Sequence, residues 1–410
     1  MVDNLLRPPK SAYLLQWGRV SMPHPLRVLT VLNYYFPYIS GVSEYARLVA
    51  EGLVRHGMDV TVLTGRHLAN LASAEQLNGV RLVRANPLLF LHKGYLSSDF
   101  LFRYRSLSRD ADIVLMHLPM LESGVFAMMT PSTKPILVKY HCDVAPSNKQ
   151  SIVDRFAVAA VRRSARICAS RARKIVVSSL DYAQGSTVLR GFEHKLIEVH
   201  PPDKAPVGEA IEKEPCSNRP ARVGFLGRFV EEKGIDVLLS AIPAVLQRLP
   251  DTRFLLAGDY AGVAGGSSFE GIKHKLESLK ANVDVLGKIP EADLFPFYRS
   301  LDLFLLPSIN SYEAFGMVQV EAMKSGVPVI ATDLRGVRVP VKKTGNGLIV
   351  PPRNPEALAA AMIEMLTKKE RLAPQEIADR AWKVFRTDRV IDTFAKSIRE
   401  LYENASSPRS

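Results

Sequence analysis

The chain has no long apolar run and no cysteine pattern, and each absence narrows the class of protein. No apolar stretch reaches the roughly 18 residues that a transmembrane helix needs, the longest candidate being residues 28–39. The three cysteines, Cys142, Cys168 and Cys216, show no CxxC spacing, so neither a zinc site nor a disulfide framework is predicted. A reducing compartment, the cytoplasm, is the expected location.

The first residues also lack the features of a leader. Residues 1–25 contain no compact apolar segment with a small-residue cleavage site, so we expect an N-terminal arm and no signal peptide. The length of 410 residues exceeds what one hydrophobic core supports and favours two domains.

Acidic residues are in deficit, because 41 Asp and Glu residues stand against 54 Lys and Arg residues, a net charge of +13. Seven basic residues fall between Arg155 and Lys174 with helical spacing. Two interpretations stay open, a solvated helix face or a contact with an anionic membrane surface. Nucleic acid is not expected as a partner, because no zinc-finger or RNP-type motif accompanies the charge.

Strands alternate with helices along most of the chain. Residues 26–35 form an apolar, β-branched run that predicts a buried strand, and a helix is predicted over 45–56, ending before Gly57. The rhythm restarts at a strand over 221–227. The pattern predicts an α/β fold with two Rossmann-like, doubly wound domains that face a central cleft.

The predicted division of the chain follows from this rhythm. It places an N-terminal domain over 26–203, a linker over 204–220 and a C-terminal domain over 221–385. A last helix near 386–405 is expected to cross back onto the first domain. Ligands of open α/β sheets bind beyond the carboxyl ends of the strands, so the cleft is the expected site.

Two cations follow the first strand of the second domain. Arg228 comes directly after the strand, and Lys233 opens the next predicted helix. Cations beside free backbone N–H groups at a strand-to-helix junction suit a diphosphate. The alternative is a pair of solvated side chains next to Glu231 and Glu232.

Two glutamates mark the segment 308–330, SINSYEAFGMVQVEAMKSGVPVI. Glu313 and Glu321 are eight positions apart, and eight helical residues span roughly 12 Å, so the carboxylates are expected to contact different parts of one long ligand. Glu321 suits a ribose diol and Glu313 a sugar ring, because a carboxylate accepts from neighbouring hydroxyls. Gly316, in a helix predicted from Phe315, would let the backbone approach a phosphate. The alternative is a helix with one glutamate at its start and one on its surface.

Two residues of the first domain are candidates for the opposite side of the cleft. His141 ends a predicted strand and is a candidate hydrogen-bond donor to the sugar, the phosphate or the reacting oxygen, unless it is satisfied locally. Gly41, predicted in the loop after the first strand, either allows close approach to a phosphate or is a turn glycine. The DxD pattern of Asp110 and Asp112 precedes an apolar strand without a further acidic cluster, so no metal site is predicted.

Together these motifs resemble the retaining glycosyltransferases of family 4, which have the GT-B fold. The resemblance rests on GRFVEEKG, EAFGMVQVE, SGVPVIA and GNGLIVPPRNPEALAAAM and covers nearly all of 26–402. It implies that the first domain binds the acceptor and the second the nucleotide-sugar donor. The implied site residues are Arg228 and Lys233 on the diphosphate, Glu321 on the ribose, Glu313 and His141 on the transferred sugar, Ile289 against the base, and Gly41, Phe315, Gly316, Met317 and Val318 as further donor contacts.

The resemblance also implies a reaction. A hexose would pass from a nucleotide-diphosphate sugar, a co-substrate, to a saccharide or lipid-linked acceptor with retention of configuration and with no metal or other cofactor. The leaving diphosphate would help to deprotonate the acceptor on the same face. The expected setting is polysaccharide or glycolipid biosynthesis in the cytoplasm, peripheral on the inner face of the membrane if residues 155–174 meet it. Residues 88–105 are expected either at that membrane surface or in a buried helix.

Two other functions remain open on this fold, a sugar-nucleotide 2-epimerase and a non-catalytic sugar-nucleotide-binding protein. The sequence also departs from the family pattern in three places. Residues 199–203, VHPPD, replace the more usual strand end with an asparagine and a glycine. Val42 follows Gly41 where many members have a second glycine, and residues 335–341 lack a glutamate that is often present.

Overall fold

The computed structural model describes residues 24–91, 94–144, 152–205, 219–260, 267–368, 370 and 372–406. The predicted N-terminal arm, apart from its last two residues, and most of the predicted linker fall outside these ranges. The described residues form two mainly parallel α/β sheets in two domains, which confirms the predicted fold class.

The first sheet has the strand order β10-β9-β8-β7-β1-β2-β4-β3, and its described strands are parallel except for the edge pair β3 and β4. Its strands and the separate hairpin β5–β6 are β1 (Arg27–Val31), β2 (Asp59–Gly65), β3 (Ala74–Leu77), β4 (Val80–Ala85), β5 (Leu89–Leu91), β6 (Gly94–Leu96), β7 (Ile113–Leu118), β8 (Ile136–Tyr140), β9 (Lys174–Val177) and β10 (Leu196–Glu198). The periodicity does not predict β3 or the hairpin, because three or four residues are too few to show an alternation.

The helices of the first domain are α1 (Gly41–Arg55), α2 (Ser98–Asp110), α3 (Ser123–Met129), α4 (Ile152–Arg171) and α5 (Leu180–Ala183). The prediction that Gly41 lies in a loop is wrong, because α1 begins at this residue. A capping box explains the earlier start. Ser43 N donates to Ser40 Oγ at 3.2 Å, and Ser40 N donates to Ser43 Oγ at 2.8 Å.

The second sheet has the order β13-β12-β11-β14-β15-β16, with parallel pairing throughout its described strands. Its strands are β11 (Arg222–Leu226), β12 (Arg253–Ala257), β13 (Val283–Gly287), β14 (Leu303–Leu306), β15 (Val329–Thr332) and β16 (Gly347–Val350). The helices of this half are α6 (Ile235–Arg248), α7 (Phe269–Ser278), α8 (Leu294–Ser300), α9 (Met317–Lys324), α10 (Val339–Thr344), α11 (Pro355–Thr367), α12 (Pro374–Val384) and α13 (Thr387–Ser406).

The last helix, α13, packs against α1 of the first domain. A Cβ atom on Gly52 would lie 2.7 Å from Ile391 Cγ2, so the two helices touch at a glycine. His56 Nε2 lies 2.8 Å from Asp392 Oδ1 at the edge of the same contact. Helix α13 therefore packs over one face of the first sheet.

That face of the first sheet changes character along its strands. The parallel register pairs Leu115 with Leu137 and, two residues later, His117 with Lys139. Because side chains alternate between the faces of a strand, all four lie on one face. The leucines belong to the apolar core beneath α1 and α13, while His117 and Lys139 are buried near the carboxyl ends of β7 and β8. The apolar core thus ends in ionisable groups at the edge where ligands of such sheets bind.

Candidate functional site

Two of the residues that the sequence predicts as site residues form an ion pair. Lys233 lies between β11 and α6, and Glu313 lies in the loop after β14, the strand that neighbours β11. Lys233 Nζ donates to Glu313 Oε2 across 80 residues of sequence, and both side chains are mostly buried. A cation and a carboxylate are therefore held together at the carboxyl edge of the second sheet.

Two glycines hold the loops that carry this pair. Gly234 has φ +68°, and a Cβ atom there would lie 2.0 Å from the Pro307 carbonyl oxygen. Gly316 has φ +78°, and its Cβ atom would lie 2.2 Å from Leu306 Cδ2. Close packing inside the domain therefore accounts for both glycines, because a side chain would clash and the left-handed backbone would be strained.

The helix of the glutamate segment starts later than predicted. α9 begins at Met317, with Gly316 as its N-cap, so Phe315 precedes the helix. The separation expected between Glu313 and Glu321 assumed a helix over all eight residues and is therefore corrected. Only the second half of that interval is helical.

Arg228 stands close to the ion pair in sequence and remains available. It follows β11 directly, and its side chain is half-buried. Within the described ranges its guanidinium makes no ion pair or side-chain hydrogen bond. A free cation at a strand end suits an anionic ligand.

Glu321 is buried, so the alternative of a surface glutamate is wrong. Tyr298 OH donates to Glu321 Oε2 at 2.9 Å. Burial, with a smaller contribution from the Asp203 carboxylate, raises the pKa of Glu321 to about 7. The carboxyl group therefore changes charge near neutral pH.

The remaining donor-side residues mostly turn their side chains inward. Phe315 packs in a small apolar cluster and stacks on His200, with ring centroids 5.5 Å apart. Met317 packs against the core of the first domain, and Val318 and Ile289 pack against that of the second. Around residues 315–318 the backbone is therefore the part left for ligand contacts.

The first domain contributes His141 directly after β8. His141 Nε2 lies 2.8 Å from Nδ1 of His117 at the end of β7. Burial first, then His117 and Lys139, hold the pKa of His141 well below its ordinary value, so the ring is neutral. At Gly41 a Cβ atom would meet no described atom within 4 Å, so this end of α1 faces open space.

Contacts between the domains border the same region. The Asp181 carboxylate accepts from Gly336 N at 2.8 Å and from Arg338 Nη2 at 2.6 Å. Tyr182 OH donates to the Ser311 carbonyl oxygen at 2.8 Å, next to the Glu313 loop. Burial alone would raise the pKa of Asp181, but the donors from Arg338 and Gly336 hold it below its ordinary value.

A second set of contacts crosses between the domains near the start of the predicted linker. Lys204 Nζ lies 2.5 Å from Glu44 Oε2 on α1 and 3.1 Å from Glu291 Oε1, which precedes α8. Arg47 Nη2 lies 3.7 Å from the same Glu291 oxygen. These charges connect the first turns of α1 with the second domain.

Four residues near the site were not predicted from the sequence, namely His117, Lys139, Asp181 and Arg338. The first two had a signal, because a histidine and a lysine at alternate-face positions interrupt the apolar strands IVLMHL and ILVKY. Asp181 and Arg338 meet over a separation of 157 residues, for which local periodicity gives no signal.

No metal site was predicted at the DxD pattern of Asp110 and Asp112. Asp112 Oδ1 lies 2.8 Å from Arg27 Nη2, at the amino end of β1 and away from the edge with His141. No cluster of three or more His, Cys, Asp or Glu side chains within the described ranges has the arrangement of a metal site.

Of the described helices, none combines the length and apolarity required to span a membrane.

Two family models match the chain, one in each domain. The model described as "Glycosyl transferases group 1" matches residues 208–382, and the "Glycosyl transferase 4-like domain" model matches residues 40–203. A D-inositol 3-phosphate glycosyltransferase of Segniliparus rotundus is 35% identical over 42% of this chain and 37% of its own length. A phosphatidyl-myo-inositol mannosyltransferase of Mycobacterium leprae is 32% identical over 45% of this chain and 47% of its own length. The chain thus spans less than half the length of these curated relatives.

Solved structures share the fold at low sequence identity. Sucrose-phosphate synthase from Thermosynechococcus elongatus superposes with a TM-score of 0.74 at 21% identity, covering 92% of this chain and 100% of its own. Anabaena HepE, solved in complex with UDP-glucose, gives a TM-score of 0.69 at 16% identity with 92% and 100% coverage. Given one family model in each domain and this shared architecture, the chain belongs to the group 1 (family 4) glycosyltransferases of the GT-B fold.

Proposed function

We propose that this chain moves a hexose from a nucleotide-diphosphate sugar to a saccharide or lipid-linked acceptor with retention of configuration. The observation that carries the proposal is the Lys233–Glu313 pair beside the free Arg228 at the carboxyl edge of the second sheet. The pair offers a cation for a phosphate and a carboxylate for sugar hydroxyls at one place. Binding of a sugar diphosphate would separate the two side chains and give each its own partner.

The proposed donor site extends from this pair in both directions. Arg228 and Lys233 bind the two phosphates and stabilise the charge that develops on the leaving diphosphate. Glu313 accepts from the transferred sugar, and Glu321 accepts from the ribose. Ile289 lies against the base. The complexes of Anabaena HepE with UDP and UDP-glucose support a nucleotide-sugar donor for this chain.

The positions of the carboxylates support retention without a protein nucleophile. Glu313 is paired with Lys233, and Glu321 is buried behind Tyr298. In the proposed complex Glu313 accepts from sugar hydroxyls and Glu321 accepts from Tyr298 and the ribose, so neither carboxylate is assigned to attack the anomeric carbon. The acceptor hydroxyl would then attack on the face that the diphosphate leaves, and a diphosphate oxygen would take its proton.

The acceptor is proposed to bind beyond β1 and β2 of the first sheet. Tyr34 and Tyr38 stack there with ring centroids 4.6 Å apart, and His67 contacts Tyr38 edge-on at 5.5 Å. Ile39 and Leu68 are about half exposed in the same loops. Aromatic rings with exposed aliphatic neighbours suit a sugar ring attached to an apolar group. A relative named for phosphatidyl-myo-inositol supports such an acceptor.

Contact with an anionic membrane is proposed through part of the basic segment. Arg166 and Arg171 of α4 donate to backbone carbonyl groups and so serve the fold. Arg155 and Arg163 are exposed, and Phe156 is 73% exposed between them. An exposed aromatic ring with flanking arginines suits the interface of an anionic bilayer. The enzyme would then act in the cytoplasm at the inner face of the membrane.

The reaction is tested by incubation with uridine, guanosine and adenosine diphosphate sugars. Release of the nucleoside diphosphate, by slow hydrolysis or on addition of acceptors, is the expected result. A 2-epimerase would leave the diphosphate linked to an altered sugar, and a binding protein would leave the donor unchanged. Product analysis by NMR then reads the anomeric configuration, and an inverted product would contradict retention.

The membrane contact is tested by sedimentation with anionic and neutral vesicles. The triple change Arg155→Ser, Phe156→Ser and Arg163→Ser is expected to abolish binding to anionic vesicles. Leu286→Ser, an exposed apolar side chain on the second domain, is the control and should bind like the unaltered protein. Equal sedimentation of the triple variant and the control would contradict the proposal.

A further inference from the structure

The two histidines at the ends of β7 and β8 form a direct ring-to-ring hydrogen bond. His117 Nδ1 and His141 Nε2 are 2.8 Å apart. The ring centroids are 5.1 Å apart, and the ring planes differ by 19°. These values fit two rings lying end to end in nearly one plane, in which an N–H of one ring points at the lone pair of the other.

Neither ring carries a charge near neutral pH. Burial, with a smaller effect of Lys139, lowers the pKa of His117 to about 3, and burial holds the pKa of His141 well below its ordinary value. Each neutral ring has one proton. The bond therefore has two possible forms, in which the proton between the rings belongs to His117 Nδ1 or to His141 Nε2.

The other nitrogen of His117 distinguishes the two forms. His117 Nε2 is buried and has no hydrogen-bond partner among the described atoms. If the shared proton belonged to His141, this buried nitrogen would carry an unpaired N–H. Buried N–H groups without a partner are rarer in proteins than acceptors without one. A bare Nε2 with its lone pair is the form that the burial favours.

Lys139 favours the same form. It is the register partner of His117 on the neighbouring strand and lies on the same face. Its ammonium group donates to Ser178 Oγ at 3.0 Å and lies 4.6 Å from the centroid of the Tyr45 ring. The charge of Lys139 acts on the His117 ring, and a cation stabilises a lone pair that faces it and disfavours an N–H there; Nε2 is the ring nitrogen that is not already bonded to His141.

We propose that His117 is a positioning residue that donates from Nδ1 to His141 Nε2 and so holds the proton of His141 on Nδ1. His141 Nδ1 makes no hydrogen bond to the described residues, and the residue is only half-buried beside the cleft. It therefore presents a neutral N–H donor and no basic nitrogen. The last step alone rests on the proposed function: His141 donates to an oxygen of the bound sugar and takes no proton from the acceptor.

The tautomer is measured on the full chain labelled with 15N-histidine, by NMR at pH 6.5. This pH is below the value of about 7 to which burial lowers the pKa of Lys139 and well above that of His117. The His141→Asn spectrum identifies the His141 resonances. A protonated Nδ1 and a bare Nε2 are expected. A protonated Nε2 or a doubly protonated ring would overturn the proposal, whatever reaction the protein catalyses.

Two variants of equal size test the direction of the bond. The amide of His117→Asn can donate to His141 Nε2, whereas the ionised carboxylate of His117→Asp can only accept. His117→Asn should keep the Nδ1 proton and retain kcat within about threefold. His117→Asp should move the proton to Nε2 and lower kcat at least tenfold, with KM for the donor within twofold.

Equal tautomers and equal kcat in the two variants would contradict the positioning role. Circular dichroism and thermal unfolding establish that both variants are folded, and if the Asp variant is not, the spectrum of the unaltered protein decides alone. If no donor is turned over, the proposed function fails while the tautomer measurement still stands.

Discussion

The two edges that face the cleft are built differently. The second domain presents charged side chains from loops that follow its strands, and Lys233 and Glu313 neutralise each other there. The first domain presents ionisable groups at its strand ends, where His117 and Lys139 are buried. Charges on loops can exchange partners when a ligand arrives, whereas groups held in a sheet cannot. The second edge is therefore suited to bind and release a diphosphate, and the first to hold a donor in place.

The largest expected effect comes from the ion pair of the second domain. Lys233→Met should lower turnover at least tenfold, since loss of one preorganised group for developing charge costs about 10²- to 10³-fold. It should also weaken binding of the nucleoside diphosphate, measured by calorimetry. Glu313→Ala should lower turnover at least tenfold while the protein stays folded.

Lys275→Met is the control for this comparison. Lys275 is an exposed lysine of the second domain, and its Nζ lies 2.5 Å from Asp236 Oδ1. Its substitution therefore removes an ion pair without touching the cleft. Surface pairs of this kind contribute about 0–1 kcal/mol. Unchanged turnover in both Lys233→Met and Glu313→Ala would remove these residues from the site.

The first domain should respond differently to the loss of its site histidine. His141→Ala is expected to lower turnover about tenfold, because the proposed hydrogen bond to the sugar would be lost. The affinity for nucleoside diphosphate alone should stay within twofold, since that ligand has no sugar for His141 to contact. Calorimetry with the diphosphate and kinetics with the donor separate the two quantities. Equal losses of turnover and of diphosphate affinity would show that the two domains do not have separate roles.

This division also explains what the sequence could predict. The strand and helix rhythm predicted both sheets, because buried parallel strands are continuous apolar runs. Lys233 and Glu313 were predicted as site residues because short motifs at strand ends carry them. The start of α1 was misplaced because a Ser40–Ser43 capping box extends the helix to Gly41. The bond between His117 and His141 needs the register of two strands, which local sequence does not contain.

A smaller effect is expected where the edges touch. Asp181→Ala removes the acceptor for Gly336 N and Arg338, and should raise KM for the donor about fivefold through a looser arrangement of the domains. Arg338→Met should do the same. In the double variant the losses should add only in part, because both substitutions remove the Asp181–Arg338 pair, while each also removes a contact of its own, with Gly336 N or with Asp333. Additive losses, measured by steady-state kinetics, would assign the residues to separate roles.

Glu321 predicts a pH dependence of a few-fold. Its pKa is raised to about 7, so its carboxyl group is mostly protonated below that pH in the free protein. Two ribose hydroxyls donate best to the ionised form, so affinity for nucleoside diphosphate should rise as the pH passes through 7. The ratio of affinities between the unaltered protein and Glu321→Gln should grow about fivefold from pH 6 to pH 8. The titration of the phosphates cancels in this ratio, and a constant ratio would contradict ribose binding by Glu321.

Folding stability should show the opposite trend for the same group. The folded chain binds the Glu321 proton up to about pH 7, whereas the unfolded chain releases it near the ordinary glutamate pKa of 4.5. The folded state therefore holds more protons between these values, and its stability falls as the pH rises through that window. Glu321→Gln removes this loss. The melting temperature of the variant should exceed that of the unaltered protein at pH 8 and approach it at pH 5.

The smallest expected effect is that of a chelator. In the proposed site Arg228 and Lys233 supply the positive charge that the leaving diphosphate requires, one cation for each phosphate. EDTA should therefore leave turnover within twofold. In Lys233→Met, added Mg²⁺ should restore part of the lost turnover, because a divalent ion can bridge the two phosphates in place of the lysine. A strict metal requirement in the unaltered protein would mean that the two side chains do not supply this charge. A bound metal ion would then neutralise the diphosphate at the second edge.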